Sequence, residues 1–389
     1  MDKYEVLVLG LGAMGSAAAF QLAKRGRKVL GIDQFTPPHR LGSSHGETRI
    51  TRLAIGEGEH YTPLVMRSHE LWREIEKETD ADLLTITGGL IISSIARTAM
   101  LHVDQFFSNT VAAAEKYRIA HQILSAQEIR TRFPQFRVHD DEIGYYEPSA
   151  GFLRPEACID AQLRLAKKYG AAIHTNERVV AFQASADEVT VTTDRRTYRA
   201  EKLIISAGAW LPELIGETYA TPFKVLRQLL FWFDVKGPIT PFLPANCPIF
   251  IWELQGPQQA IYGFPAIDGA EGGVKVATQQ YENTTTPDIV NRDVLEEEAA
   301  TMHAKYVAPY MPALSSRCIK AVSCLYTATP DAEFVIDFHP QSERIIIASP
   351  CSGHGFKHSA AIGEALAELA ADGRSRFDLS AFRFARFMK

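Results

Sequence analysis

Val6-Leu7-Val8-Leu9-Gly10-Leu11-Gly12-Ala13-Met14-Gly15, read onward to Asp33, decides the architecture of the chain. An apolar run over residues 4–9 ends in the pattern G-x-G-x-x-G. A helix is expected from about residue 13 to 24, and a second apolar run follows at 28–32. Continuous apolar strands of this kind belong in a parallel sheet covered on both faces, so the start reads as a βαβ unit. In such a turn Gly10 permits the tight bend, Gly12 lets backbone amides approach a pyrophosphate, and Gly15 allows helix and strand to pack closely. The helix N-terminus then turns unsatisfied N–H groups toward the phosphates. Asp33 ends the second strand, where a carboxylate bonds both ribose hydroxyls and disfavours a 2′-phosphate.

Working outward, residues 37–58 are rich in Gly, Ser, His and Arg without a clean period, a long connection of the kind that carries function. Helical spacing is read at 63–79, strand material at 83–93, helix at 97–118, a capped short helix at 125–133 (S-A-Q-E) and an amphipathic helix at 156–169. Strands are expected at 179–182, 189–193 and 202–206. Short antiparallel β segments are expected over 225–282, and a charged helix over 288–306. The chain returns to strand at 344–348, a Gly-rich loop at 352–355 and a helix at 359–371. The α/β pieces therefore fall at the start, around 150–210 and at the end. The expected fold is α/β, with a Rossmann-like dinucleotide domain from 1–82, 150–218 and 322–389. A discontinuous, mainly antiparallel α+β substrate domain takes 83–149 and 219–321.

Composition excludes other classes. With 41 Lys and Arg against 46 Asp and Glu, the net charge is −5, so no general basic field draws nucleic acid or anionic membrane. No apolar run approaches the roughly 20 residues that cross a bilayer, and the first residues show no signal-peptide pattern. Five scattered cysteines, Cys158, Cys247, Cys318, Cys324 and Cys351, read as reduced thiols. A cytoplasmic protein is expected, with neither nucleic acid nor membrane as partner and no metal site.

The phosphate turn alone does not separate FAD from NAD. Two further strand-to-glycine junctions do: Lys202-Leu203-Ile204-Ile205-Ser206-Ala207-Gly208-Ala209-Trp210, and residues 344–348 leading into Ser352-Gly353-His354-Gly355-Phe356-Lys357. FAD is long and needs several such approaches, whereas a nicotinamide site is usually completed within one contiguous fold.

With these segments the chain resembles the monomeric sarcosine oxidase and N-methyltryptophan oxidase group of the D-amino-acid-oxidase-like flavoproteins. The resemblance covers nearly the whole chain. It is carried by Gly42-Ser43-Ser44-His45-Gly46-Glu47-Thr48-Arg49, Gly56-Glu57-Gly58, Tyr262-Gly263-Phe264-Pro265, Cys324-Leu325-Tyr326-Thr327 and the Ser352–Lys357 motif.

The resemblance implies FAD held covalently through Cys324; Cys351, beside the Gly-rich loop, does not match the linkage position. It implies a cofactor site that adds Met14, Ser44, His45, Val179, Gly208, Trp210, Gly353, Gly355, Phe356 and Lys357 to Gly10, Gly12, Gly15 and Asp33. Thr48 and Arg49 would stand beside the flavin. Arg52 and Lys357 would bind the substrate carboxylate, a task for basic side chains. Lys275 would activate O2, as a fixed cation stabilises developing superoxide. Tyr262 and Tyr326 would line the pocket. Without the resemblance, Lys275 is an ordinary strand lysine and the tyrosines ordinary sheet aromatics.

The stretch 274–279 alternates, so Lys275, Ala277 and Gln279 share one face, and a hairpin brings Tyr262 near Lys275. One departure concerns Gln279, where the family carries a His that titrates near neutral pH; Gln does not. Leu53 and Ile55 also replace more polar or aromatic groups. The implied activity is FAD-dependent oxidation of an N-methyl or other secondary amino acid by O2, giving primary amino acid, formaldehyde and H2O2, in a monomer. N-methyltryptophan or a cyclic secondary amino acid such as pipecolate as substrate, an electron acceptor other than O2, and a non-catalytic NAD-binding module are the competing readings.

Overall fold

The computed structural model describes residues 3–94, 99–100, 103–254 and 259–388. An eight-stranded sheet forms the first layer. Its parallel heart runs, in order, Ala172–His174, Val29–Ile32, Lys3–Leu9, Thr197–Ile205 and Ser342–Ser349. Val29–Ile32 and the C-terminal halves of Lys3–Leu9, Thr197–Ile205 and Ser342–Ser349 are apolar and buried, as a sheet covered on both faces requires. The Val189–Thr193 and Val179–Ala184 strands add an antiparallel hairpin on the Thr197–Ile205 strand. The Ala13–Lys24 helix packs against the Pro155–Lys168 and Ser359–Asp372 helices. Seven of its ten buried positions are Ala, Gly or Ser, small residues that let a helix sit between a sheet and two neighbours.

The second layer is a nine-stranded, mostly antiparallel sheet. It takes Gly89–Ser94, Gln122–Ser125 and Glu142–Glu147 from one insert, and six strands between Lys224 and Ala328 from the other. Its centre is the long pairing of Lys224–Val235 with Leu314–Ala328. A small three-stranded sheet, Arg49–Thr51 with Gly151–Leu153 and Leu84–Ile86, lies apart from both large sheets. The expected limit at 322 falls inside the Leu314–Ala328 strand, which stays paired in the nine-stranded sheet through Ala328. We therefore propose that the first domain resumes after Ala328.

The predicted βαβ start, the 63–79 helix and the 359–371 helix correspond to Lys3–Leu9, Ala13–Lys24, Val29–Ile32, Thr62–Thr79 and Ser359–Asp372. The capped helix at Ser125 closes as read, with Glu128 N–H on Ser125 Oγ at 3.3 Å and the Glu128 carboxylate on Ser125 N–H at 2.7 Å. Two helices are shorter than predicted. Of residues 97–118, only Phe106–Lys116 is helical. Gln105 is left-handed (φ 58°) and starts the helix there, while Ala99–Met100 pairs with Val103–Asp104 as a ribbon. Residues 97–98 and 101–102 lie outside the described residues.

Of 288–306, the helix proper is Glu296–Met302, continued by a π turn over His303–Val307. The stretch before it is pulled onto the sheet: the Arg227 guanidinium donates to the carbonyls of Asn291 and Asp293, both at 2.7 Å. Several strands went unpredicted, among them Arg49–Thr51, Gln122–Ser125, Glu142–Glu147, Gly151–Leu153, Ala172–His174, Leu314–Ala328 and Val335–His339. No helix among the described residues is long and apolar enough to cross a membrane.

Candidate active site

A cavity of about 570 Å3 is lined by residues of both large sheets. Gly10, Gly12, Met14, Asp33, Val179, Gly208 and Trp210 line it from the parallel sheet and its turns. Tyr262, Gln279, Cys324 and Tyr326 line it from the antiparallel sheet. Arg49 reaches it from the small three-stranded sheet, and Ser44, Arg52, Gly353, Gly355, Phe356 and Lys357 complete it from the connecting segments. Four expected residues are not on its surface. Gly15 lies beneath the turn, and His45, Thr48 and Lys275 stand behind the wall that carries Arg49.

The glycine turn fits a dinucleotide phosphate. Gly10 has φ 84°, a conformation that side-chain-bearing residues avoid. A Cβ on Gly15 would stand 1.7 Å from Gly10 O, so only hydrogen fits between helix and turn. A Cβ on Gly12 would meet nothing nearer than Ser44 Oγ at 4.0 Å, which leaves the cavity open at the start of the helix. Asp33 accepts from Leu11 N–H at 2.7 Å and from Phe35 N–H at 2.8 Å. Burial pushes its carboxyl up, and these two bonds pull the other way. Ser43 Oγ, on the cavity wall, and His45 Nε2 are buried with no hydrogen-bond partner among the described residues. Burial, with Arg49 and Lys275 nearby, pushes His45 down to about 3, so its ring is neutral. An open cradle at a helix start and the unpartnered Ser43 hydroxyl on the wall fit FAD.

Cys324 and Tyr326 project from the same face of the Leu314–Ala328 strand. Cys324 Sγ lies 3.6 Å from Arg49 Nη2 and 3.6 Å from Ser43 O. Burial pushes the thiol up, opposed by Arg49 and Lys275. Cys351 lines the same cavity, but its sulfur accepts Thr327 N–H at 3.3 Å. Arg49 Nη1 donates to Thr48 O at 2.8 Å and Nη2 to Ser43 O at 2.6 Å, which fixes the guanidinium in the wall.

The predicted hairpin is present: Ala260–Phe264 pairs with Val274–Thr278, with Tyr262 opposite Ala277 and Phe264 opposite Lys275. Lys275 is buried, and its Nζ donates to Gly46 O at 2.7 Å, Thr48 O at 3.0 Å and Thr48 Oγ1 at 3.1 Å. Burial and the charge on Arg49 push it well below the usual lysine range. Three surrounding oxygens and the rings of Phe264 (4.5 Å) and Trp232 (5.2 Å) favour the ammonium instead. Gln279 Nε2 donates to Tyr326 OH at 3.4 Å. Tyr262 and Tyr326 are hydrogen-bonded to each other, and burial raises both phenols.

The residue that sequence reading passed over is Glu57. It sits in the quoted Gly56-Glu57-Gly58 motif, and no role was read for it. It is buried, 2.5 Å from Arg52 Nη2 and 3.6 Å from Lys357 Nζ. Burial pushes its carboxyl up, but Arg52 and Lys357 together hold it well below the carboxylate range. Lys357 also donates to His354 O at 2.7 Å, and burial lowers it to about 8. The loop is tied to the antiparallel sheet by Glu147, which accepts Leu53 N–H at 2.7 Å and Ala54 N–H at 3.1 Å. The two expected carboxylate binders are thus brought together, around a carboxylate of the chain itself. Because Lys357 lies about 300 residues further along the chain, no local sequence signal marked this role.

The protein family described as FAD dependent oxidoreductase matches residues 5–369. The chain is 40% identical to the monomeric sarcosine oxidase of Streptomyces avermitilis over 381 residues, 97% of this chain and 96% of that protein. It is 34% identical to the N-methyl-L-tryptophan oxidase of Escherichia coli over 385 residues, covering 99% of this chain and 100% of that one. In fold it is similar to the open form of NikD, an amino acid oxidase essential for nikkomycin biosynthesis. The TM-score is 0.85 at 24% identity, covering 98% of each chain.

Proposed function

The chain belongs to the FAD-dependent oxidoreductase family, and on that premise we propose that it oxidises the C–N bond of an N-methyl or other secondary amino acid, with O2 as acceptor. The observation that carries the reading is the carboxylate seat of Arg52 and Lys357, in one cavity with the phosphate turn and Cys324. FAD, when bound, would take up a hydride equivalent from the C–H bond beside the amine nitrogen, leaving an imine that water hydrolyses, and would pass the electrons to O2, giving H2O2. The phosphate turn and Asp33 would hold its dinucleotide half, and Cys324 would form the thioether.

Arg52 and Lys357 orient the substrate by its carboxylate, which takes the place Glu57 holds. Tyr262, Tyr326 and Gln279 form one hydrogen-bonded wall, and burial holds both phenols protonated. With Gln279 in place of a titrating His, no side chain of this wall takes a proton near neutral pH. The substrate amine therefore loses its proton to solvent and enters neutral. Arg49, fixed by Thr48 O and Ser43 O, supplies permanent positive charge at the wall, and Lys275 the fixed cation of the oxygen half-reaction.

The test is anaerobic mixing of the purified protein with a panel of N-methyl and cyclic secondary amino acids, followed by air. Flavin bleaching and then peroxide are expected. A protein without flavin absorbance, or flavin that no member of the panel bleaches, defeats the reading.

A further inference from the structure

The turn that carries Thr48 and Arg49 is held from three sides, and only one of them is the lysine assigned to oxygen. Lys275 takes its carbonyl oxygens, at Gly46 O and Thr48 O. Glu156 takes its N–H groups: Gly46 N–H donates to Oε1 at 2.7 Å and Glu47 N–H to the same oxygen at 3.2 Å. The Glu47 side chain is held by an ion pair with Lys320. Glu156 lies in the first turn of the Pro155–Lys168 helix, where the helix dipole favours a carboxylate.

The register joins these contacts. Trp232 lies directly opposite Lys275 on one neighbouring strand and Lys320 on the other. The two ammonium groups stand 5.2 Å and 4.7 Å from its ring. Glu156 and Glu47 are also the carboxylates whose charge acts on Lys275, and Glu156 acts on Arg49 as well.

We infer that Glu156 and Lys320 are positioning residues that fix Lys275 for the oxygen half-reaction, an inference that rests on the function proposed above. The physical need is specific. A lysine ammonium on four rotatable bonds stays in one place only if its acceptors do. Those acceptors belong to a turn with two successive left-handed residues, Gly46 at φ 93° and Glu47 at φ 70°. Glu47 has a Cβ and pays for that conformation, so contacts must hold it there. Glu156 fixes the turn through its backbone, and Lys320 through the Glu47 side chain. Without either, the carbonyls swing and Lys275 loses its place while the Arg52/Lys357 seat is untouched.

The experiment compares the holoenzyme with Glu156→Ala, Lys320→Met and Lys320→Arg. Hydrogen–deuterium exchange of residues 43–50 is read beside that of the Ala13–Lys24 helix, and stopped flow separates reduction by amine from reoxidation by O2. Exchange at 43–50 is expected to quicken at least about tenfold in Glu156→Ala and Lys320→Met, with the helix unchanged. Reoxidation should slow about tenfold or more while reduction stays within about twofold, and Lys320→Arg should restore both readouts. Unchanged exchange, or equal slowing of the two half-reactions, overturns the inference. An unaltered enzyme that oxidises no secondary amine defeats the functional proposal instead, and the exchange data then judge the clamp by themselves.

Discussion

The two ends of the cavity are made differently. The phosphate end is backbone: Gly10, Gly12 and Gly15 act through what they lack, and they lie within six consecutive residues. The opposite end is side chain: Arg49 and Arg52 come from one stretch, Cys324 and Lys357 from more than two hundred residues further on, and Lys275 stands behind the wall. A backbone site tolerates almost no change but does one thing. A side-chain site assembled from separate segments allows its functions to be removed one at a time.

Substitutions at the side-chain end should therefore separate what the enzyme does. Cys324→Ser gives the largest effect: nearly all flavin is expected in the supernatant after acid precipitation, whereas Cys351→Ser keeps it in the pellet. Flavin that stays bound in Cys324→Ser moves the linkage elsewhere. Lys275→Met should slow reoxidation by about 10²–10³-fold, with a much smaller effect on reduction, since it removes one fixed charge from an otherwise intact site. Equal slowing of both steps removes its assigned role. Arg52→Gln deletes one charge-assisted bond and should lower kcat/KM for the amine about 10–100-fold, seen in steady-state rates.

At the backbone end the prediction differs in kind. Gly15→Ala forces a Cβ against Gly10 O, and thermal unfolding should show a loss of about 1–3 kcal/mol together with weaker FAD retention. A variant with full stability and flavin would make the two ends alike. The smallest effect is on pH. Lys357 is a cation below about 8 and neutral above it. The dissociation constant of a simple carboxylate lacking an amine, followed by flavin absorbance, should rise several-fold from pH 7 to 9. Lys357→Gln should flatten that rise, and a rise that persists in the variant assigns it to another group.

The same contrast explains what the sequence made legible. The glycine turn, its strand and helix, and Asp33 were readable because their geometry is local and each residue type has one physical reason to be there. The Lys275 hairpin was legible as an alternating stretch beside a Gly-containing partner. By contrast, the Leu314–Ala328 strand escaped notice, although Cys324 and Tyr326 stand on it. Its mixed residues alternate only once the partner strand shows which face is covered. The helix expected over 288–306 began late because Arg227, some sixty residues away, binds the carbonyls before it. Glu57, Glu156 and Lys320 carry no local pattern; their meaning lies in partners that only the folded chain supplies.

Glu57 has one further consequence. A guest acid entering between Arg52 and Lys357 finds both cations already facing one resident carboxylate, which must yield its place, as on an ion-exchange resin. Selectivity at such a seat favours guests that bring a full negative charge. An ester or amide of the same amino acid, equal in shape but uncharged, would leave the resident in place and be turned away before its nitrogen was ever tested.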